Sequence, residues 1–407
     1  MATTAVVVGA GHSGLAMSRR LTERSIDHVV LERGSVGHSW RTQRWDTLRL
    51  LTPNWMTRLP GWAYDAEDPD GYQSAHELAH SLRTYAERFR APVVEGVTVT
   101  SVRPHDAGFL VETDQGPWEA RSVVLAVGST VATRPACASE VPRDVHQVSA
   151  LDYRNPGTLP GDGVLVVGAG ASGVQIAEEL QRSGRPVTLA VGEHVRVPRS
   201  YQGHDILWWM DRLGLLDESH DMVDDLVRAR HVPSPQLIGA ARTIDLNTLM
   251  ASGVRVVGRL AGIRDREALF AGALQHVCAL ADLKMGRLLD AIDAYAGARG
   301  DRLEPTEPAA ARLRVDLASG EVGSVVWATG NRPDFSWVQV PIFDRRDRLV
   351  HDGGVTSWPG LYVLGLPFLR RRRSTYVDGA RADSDDLAAH LVGYLRSSAG
   401  HRSPDAS

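Results

Sequence analysis

Two glycine triplets carry the most specific chemistry in this sequence. Gly9-x-Gly11-x-x-Gly14 follows the apolar residues 5–8, and Gly168-x-Gly170-x-x-Gly173 follows the apolar residues 163–167. The spacing makes a tight turn, lets backbone approach a pyrophosphate, and points a helix N-terminus at its charge. His12 and Ser13 fill the first turn and Ser172 the second, so these join the glycines as candidate cofactor contacts. Glu32 ends an apolar run 18 residues after Gly14, where a carboxylate can accept from an adenosine ribose, with Arg33 beside it. The second unit has no acid at that place. Arg196 and Arg199 follow instead, which favours a ribose 2′-phosphate, hence NADPH rather than NADH.

Each triplet needs a strand before it and a helix and second strand after it. Residues 5–33 and 163–191 both read this way, as an apolar run, a glycine turn, apolar residues at three-to-four spacing, and a second apolar run. The fold class is therefore α/β, with two Rossmann-like dinucleotide-binding domains and the NADPH domain inserted into the FAD domain. Residues 76–90 read as a helix, and 92–102, 108–113 and 122–128 as strands. A Pro- and Gly-rich linker at 155–163 marks a boundary, residues 203–311 read as mostly helical, and 324–330 repeat the strand-to-glycine pattern of 123–128. The expected division is residues 1–157 for the first part of the FAD domain and 158–318 for the NADPH domain. Residues 319–397 are its FAD-domain return and 398–407 a disordered tail. The first site is expected to be completed by the strands that end at Gly128 and at Thr329-Gly330. That enclosure suits a tightly held FAD, while an inserted domain suits an exchanging nicotinamide.

Composition bounds the alternatives. With 45 Lys and Arg against 49 Asp and Glu, the net charge is −4, which argues against a nucleic-acid footprint. Lys284 is the sole lysine, so nearly every cation is a guanidinium. Cys137 and Cys278 lie far apart with no CxxC, so no dithiol site is expected. No stretch reaches the roughly 18 apolar residues of a membrane span, and a cytoplasmic location is expected.

The order of motifs along nearly the whole chain resembles the flavin-containing monooxygenase superfamily. The resemblance rests on both triplets, Gly37-His-Ser-Trp40-Arg41, Trp45-Asp-Thr-Leu48, Thr52-Pro-Asn54-Trp55, Ala328-Thr-Gly330 and Gly360-Leu-Tyr-Val-Leu-Gly365-Leu-Pro. It implies a single-component flavoprotein monooxygenase that uses FAD and NADPH and inserts one oxygen atom into a small organic substrate through a C4a-peroxyflavin. It also implies that Trp40, Arg41 and Trp45 line the flavin. Asn54 then contacts both flavin and nicotinamide, and Gly365 with residues 374–378 meets the flavin ring. The aromatic set Trp40, Trp45, Trp55, Trp62 and Tyr64 is available to wall a dry pocket. Expected partners are the substrate and O2, with no nucleic acid and no membrane, and a homodimer is the candidate assembly.

The chain departs from that family at one motif. Of F-x-G-x-x-x-H-x-x-x-Y/F only His146 is present, with Glu140, Pro142 and Ala150 at the other places. A reductase that passes electrons to a quinone, a protein or another acceptor without oxygenation is therefore a second reading, and a dinucleotide-sensing regulator a third. His76-Glu-Leu-Ala-His80 matches H-E-x-x-H, but no third zinc ligand follows, and a solvated helix face explains it. Arg370 to Arg373 could grip a phosphate or an acidic substrate but read first as a solvated loop, and Trp208-Trp209 as core or subunit contact ahead of substrate stacking.

Overall fold

A computed structural model describes residues 1–65, 67–309 and 312–400, with side chains through Ser397. The first sheet is built on β1 (Ala2–Val8). The turn at Gly9–Gly11 leads into α1 (His12–Glu23), and β2 (His28–Glu32) returns parallel to β1, pairing Ala5 with His28 through Val8 with Leu31. Helix α2 (Ala75–Arg88) precedes β3 (Val93–Glu95), which extends the sheet beyond β2, and β4 (Trp118–Leu125) lies parallel on the other side of β1. Val99–His105 and Gly108–Thr113 form an antiparallel ribbon that joins β4. Residues Ala5 to Val8 and all of β2 are buried, as strands covered on both faces must be, and this explains their continuous apolar runs.

The second sheet is all parallel. It contains β5 (His146–Ser149), β6 (Val164–Val167), β7 (Val187–Val191), β8 (Arg255–Gly258) and β9 (Ser324–Trp327) in the spatial order β5-β9-β6-β7-β8. Helix α3 (Ala171–Arg182) links β6 to β7, and the long α4 (Leu274–Ala296) lies between β8 and β9 in sequence. The chain then returns to the first sheet through β10 (Leu361–Val363), parallel to β4, and ends in α5 (Gly379–Gly400), which packs on α1.

Four expectations change here. The strand before Thr329-Gly330 is β9, which pairs with β5 and β6, so it completes the second sheet and not the FAD unit. β5 also belongs there, so residues placed on the FAD side of both expected boundaries, 157/158 and 318/319, pair within the second sheet. The two crossing segments pair with each other, Asn331 with Ala132 and Arg332 with Val131, forming a two-stranded connection between the domains. Residues 203–311 are not mostly helical: β8 and the antiparallel Leu260–Arg264 and Glu267–Phe270 lie among the helices. Their buried Val256, Val257, Ile263, Ala268 and Phe270 are too few per strand to show a period of two in the sequence. The tail expected from residue 398 begins inside α5, and residues 401–407 lie outside the described residues.

Candidate dinucleotide sites

The two glycine turns have the same geometry. Gly9 has φ +104° and Gly168 φ +108°, a left-handed conformation open to glycine. A Cβ on either would strike a backbone carbonyl, Ala126 O at 2.6 Å or Ala328 O at 2.4 Å. A Cβ on Gly14 would lie 1.9 Å from Gly9 O, and one on Gly173 1.8 Å from Gly168 O, so these glycines let helix meet strand. Gly11 differs, since nothing stands within 4 Å of where its Cβ would be. Gly170 is nearly as open, with Ser234 O nearest at 3.5 Å. Both are the N-caps of twelve-residue helices, and neither N-terminus is capped by a side chain. An open cradle before uncapped N–H groups fits a pyrophosphate in each unit.

Around the first cradle the chain is tied by its own backbone. Ala10 N–H donates to Glu32 Oε2 at 2.8 Å and Gly34 N–H to Oε1 at 2.9 Å, so Glu32 shapes the turn. Gly37, at φ +71°, donates its N–H to Ala10 O at 3.1 Å and opens the short helix His38–Thr42 that carries Trp40 and Arg41. Arg41 donates to Ser35 Oγ at 2.8 Å. Gly365, at φ +81°, faces Ser13, whose Oγ would lie 2.6 Å from an added Cβ. The turn, the Trp-Arg helix and the terminal glycine therefore meet around one space. Arg33 is exposed at its edge. His12 Nε2 is buried without a partner among the described residues, and burial lowers the ring to about 4. Asn54 donates Nδ2 to Asp68 O at 2.9 Å and leaves a buried Oδ1 with no hydrogen-bond partner among the described residues.

The low pKa of His12 has a stability consequence. An unfolded histidine binds a proton below about 6.5, whereas His12 in the fold does not until about 4. Between these values the unfolded chain holds more protons, so stability falls as pH falls through that window. The FAD-free protein is expected to lose about 2 kcal/mol from this group between pH 7 and pH 5. Thermal melts of wild type and His12→Gln would check this, the variant losing less over the same interval; equal losses would refute it.

Several expected site residues lie elsewhere. Arg196 is 2% exposed and donates to Asp245, Asp282 and Glu304 O. Arg199 is 1% exposed and is spent on Asp205 and the carbonyls of Leu51 and Ile238. Neither guanidinium is free for a 2′-phosphate. An arginine just past a strand looks the same in sequence whether its partner is a ligand or an aspartate dozens of residues away. Trp45 is 5% exposed and belongs to the buried core of the second domain, in the same cluster as Tyr153 and Val174. The five aromatics do not form one wall: Trp40 and Trp62 border the first core, Trp45 lies in the second, and Trp55 borders a third between the domains. Thr329, beside Gly330, gives its hydroxyl across the paired connection to the carbonyl of Thr133, which follows Gly128 closely in the chain.

The remaining motifs are structural. His76 and His80 are exposed on α2, Glu77 closes a capping box with Ser74, and no metal-binding cluster exists among the described residues. Arg370 to Arg373 are not a solvated loop. Arg371 pairs with Asp383 and Asp386, Arg372 with Glu218, and Arg373 with Asp211, Asp217 and Asp378. This clasp fastens residues 211–218 of the inserted domain to the FAD-domain return. Trp209 is buried with Nε1–H donating to Tyr201 O at 2.7 Å, and Trp208 stacks on His204 at 4.0 Å. Cys278 is buried, its thiol pushed up to about 11, and Cys137 is half-buried and also raised, so neither is poised as a thiolate. No helix among the described residues is long and apolar enough to cross a membrane.

Comparison with known proteins agrees with this geometry. Residues 6–205 match the pyridine nucleotide-disulphide oxidoreductase family. The CzcO-like oxidoreductase of Geobacillus kaustophilus is 32% identical, over 96% of this chain and 98% of that protein. The indole-3-pyruvate monooxygenase YUCCA8 of Oryza sativa is 32% identical over 49% of this chain and 50% of its own. Among solved structures, the flavin-containing monooxygenase of Stenotrophomonas maltophilia superposes with a TM-score of 0.68 at 19% identity, covering 97% of this chain and 99% of that one. The bacillithiol disulfide reductase of Staphylococcus aureus gives 0.63 at 12% identity with the same coverage, so at these identities the likeness concerns the fold. The chain belongs to the family of the CzcO-like oxidoreductases.

Proposed function

We propose that this enzyme takes hydride from NADPH onto FAD and then uses O2 to insert one oxygen atom into a small organic substrate. The observation that carries this is the pair of matched, open glycine cradles on two sheets joined by two crossing strands. FAD supplies the redox chemistry when bound. Gly9, Gly11, His12, Ser13, Gly14 and Glu32 would hold its pyrophosphate and ribose, while Trp40, Arg41 and Gly365 border its outer half. Gly168, Gly170, Ser172 and Gly173 would hold the nicotinamide coenzyme's pyrophosphate. Asn54, whose Oδ1 has no partner among the described residues, is the residue assigned to orient the nicotinamide. Holding the spent coenzyme in place excludes water from the flavin, which an oxygenating enzyme requires.

The disulphide-reducing branch of the fold is disfavoured by the two cysteines, which are free and not thiolate-prone. A reductase for some other acceptor is the second reading, favoured by the incomplete motif around His146. Stopped-flow spectroscopy separates the two. With NADP+ present, the oxygenase is expected to consume O2 before the oxidised flavin spectrum returns, and Asn54→Ala to shorten that delay and release H2O2. Immediate return of oxidised flavin under all conditions, with rapid reduction of artificial acceptors, would establish the reductase instead.

A further inference from the structure

With Arg196 and Arg199 committed to buried aspartates, the cation that reads the coenzyme's ribose must stand elsewhere. The two units superpose by register. Gly9 N–H donates to Leu31 O in the first and Gly168 N–H to Ala190 O in the second, so the place of Glu32 is taken by Val191 and that of Arg33 by Gly192. The adenosine ribose of the second dinucleotide therefore belongs beyond Val191 and Gly192. A cavity of about 280 Å³ opens there, lined by Gly192, Glu193, Arg259, Ala271, Leu274 and Val277. Its apolar side, formed by α4 and its approach, suits the face of an adenine ring.

Arg259 follows directly on β8, which pairs with β7. Its aliphatic stem lies over Gly192, where an added Cβ would meet Cγ at 3.4 Å and Cδ at 3.5 Å. Arg259 is exposed, and among the described residues its guanidinium has no hydrogen bond or ion pair. The one acid at this mouth, Glu193, is bound by Lys284 Nζ at 2.8 Å. That bond, with Arg228 nearby, keeps its carboxyl ionised but electrostatically offset, so it neither blocks a phosphate nor stands free for a ribose hydroxyl.

We infer that Arg259, stacked over Gly192 at the end of β8, binds the ribose 2′-phosphate and sets the preference for NADPH over NADH. The inference rests on the reading that the second cradle holds a nicotinamide dinucleotide, and it assigns the discriminating contact to a strand other than the one the fingerprint uses. A planar fork on a phosphate is a charge-assisted contact that adds affinity for the phosphorylated ribose alone.

The FAD-loaded protein would be titrated with 2′,5′-ADP and with 5′-AMP as probes. Wild type is expected to bind 2′,5′-ADP at least about tenfold more tightly. Arg259→Ala should bring the two to parity with 5′-AMP affinity unchanged, and Arg259→Lys should fall between them. A preference for 2′,5′-ADP that survives in Arg259→Ala, or no preference in wild type, overturns the inference while leaving NADPH-driven flavin reduction intact. Failure of both NADPH and NADH to reduce the flavin would overturn the underlying reading instead.

Discussion

Gly11→Val is expected to give a folded protein that purifies without flavin, whereas Gly14→Val is expected not to fold. The two positions sit three residues apart in the same turn and differ in what surrounds them. Gly11 has φ −78°, which any residue adopts, and no atom lies within 4 Å of its missing Cβ. A valine there loses about 1 kcal/mol of N-cap preference and otherwise disturbs only the space the pyrophosphate would use. A Cβ on Gly14 would lie 1.9 Å from Gly9 O, a backbone atom that cannot yield without separating α1 from β1. Near-stoichiometric FAD in wild type should therefore fall to a trace in Gly11→Val with native circular dichroism and an intact melt. Normal flavin content in Gly11→Val would show that the cradle is not where FAD binds.

That contrast also marks how far the sequence can be read. The glycine triplets specify turns by local sterics alone, so both units, their strands and their helices are legible in a dozen consecutive residues. Glu32 is legible for the same reason, being fixed by strand length. What is not legible depends on partners remote in the chain. Residues 324–327 look like residues 122–125, and only the pairing of β9 with β5 and β6 assigns them to the second sheet. Arg370 to Arg373 look solvated until Asp211, Asp217 and Glu218 are brought over from the other domain. Arg259 is hidden for a third reason: the short strand it follows, with two buried valines, lacks the length that would separate it from a helix. Local geometry survives a reading from sequence, whereas charge partners and strand order are decided by the folded whole.

Arg196→Met is expected to destabilise the enzyme strongly without changing its coenzyme preference. Arg196 sends Nε and Nη2 to Asp245 Oδ2 at 3.0 and 2.7 Å, Nη1 to Asp282 Oδ1 at 2.6 Å, and Nη2 also to Glu304 O at 2.9 Å. Asp245 is 2% exposed and caps the helix Leu246–Ala251, while Asp282 lies on α4 and accepts Thr306 N–H at 2.7 Å. One guanidinium thus joins the strand-end segment, a short helix, α4 and the loop at residue 304. Methionine fills much of the volume but leaves the carboxylates of Asp245 and Asp282 without their shared cation, the first of them buried. Breaking a buried pair by removing one partner costs about 3–5 kcal/mol, chiefly from the uncompensated charge. Asp245→Asn in the same background removes the buried charge and keeps a capping oxygen, so the double variant should recover a substantial part of the loss. The folded fraction of Arg196→Met should still discriminate NADPH from NADH as wild type does, because the side chain never faces the cradle. Denaturant melts, with KM for both coenzymes measured on the same preparations, would decide the matter. A wild-type melt combined with a tenfold rise in KM for NADPH alone would return Arg196 to the phosphate site and remove the case for Arg259.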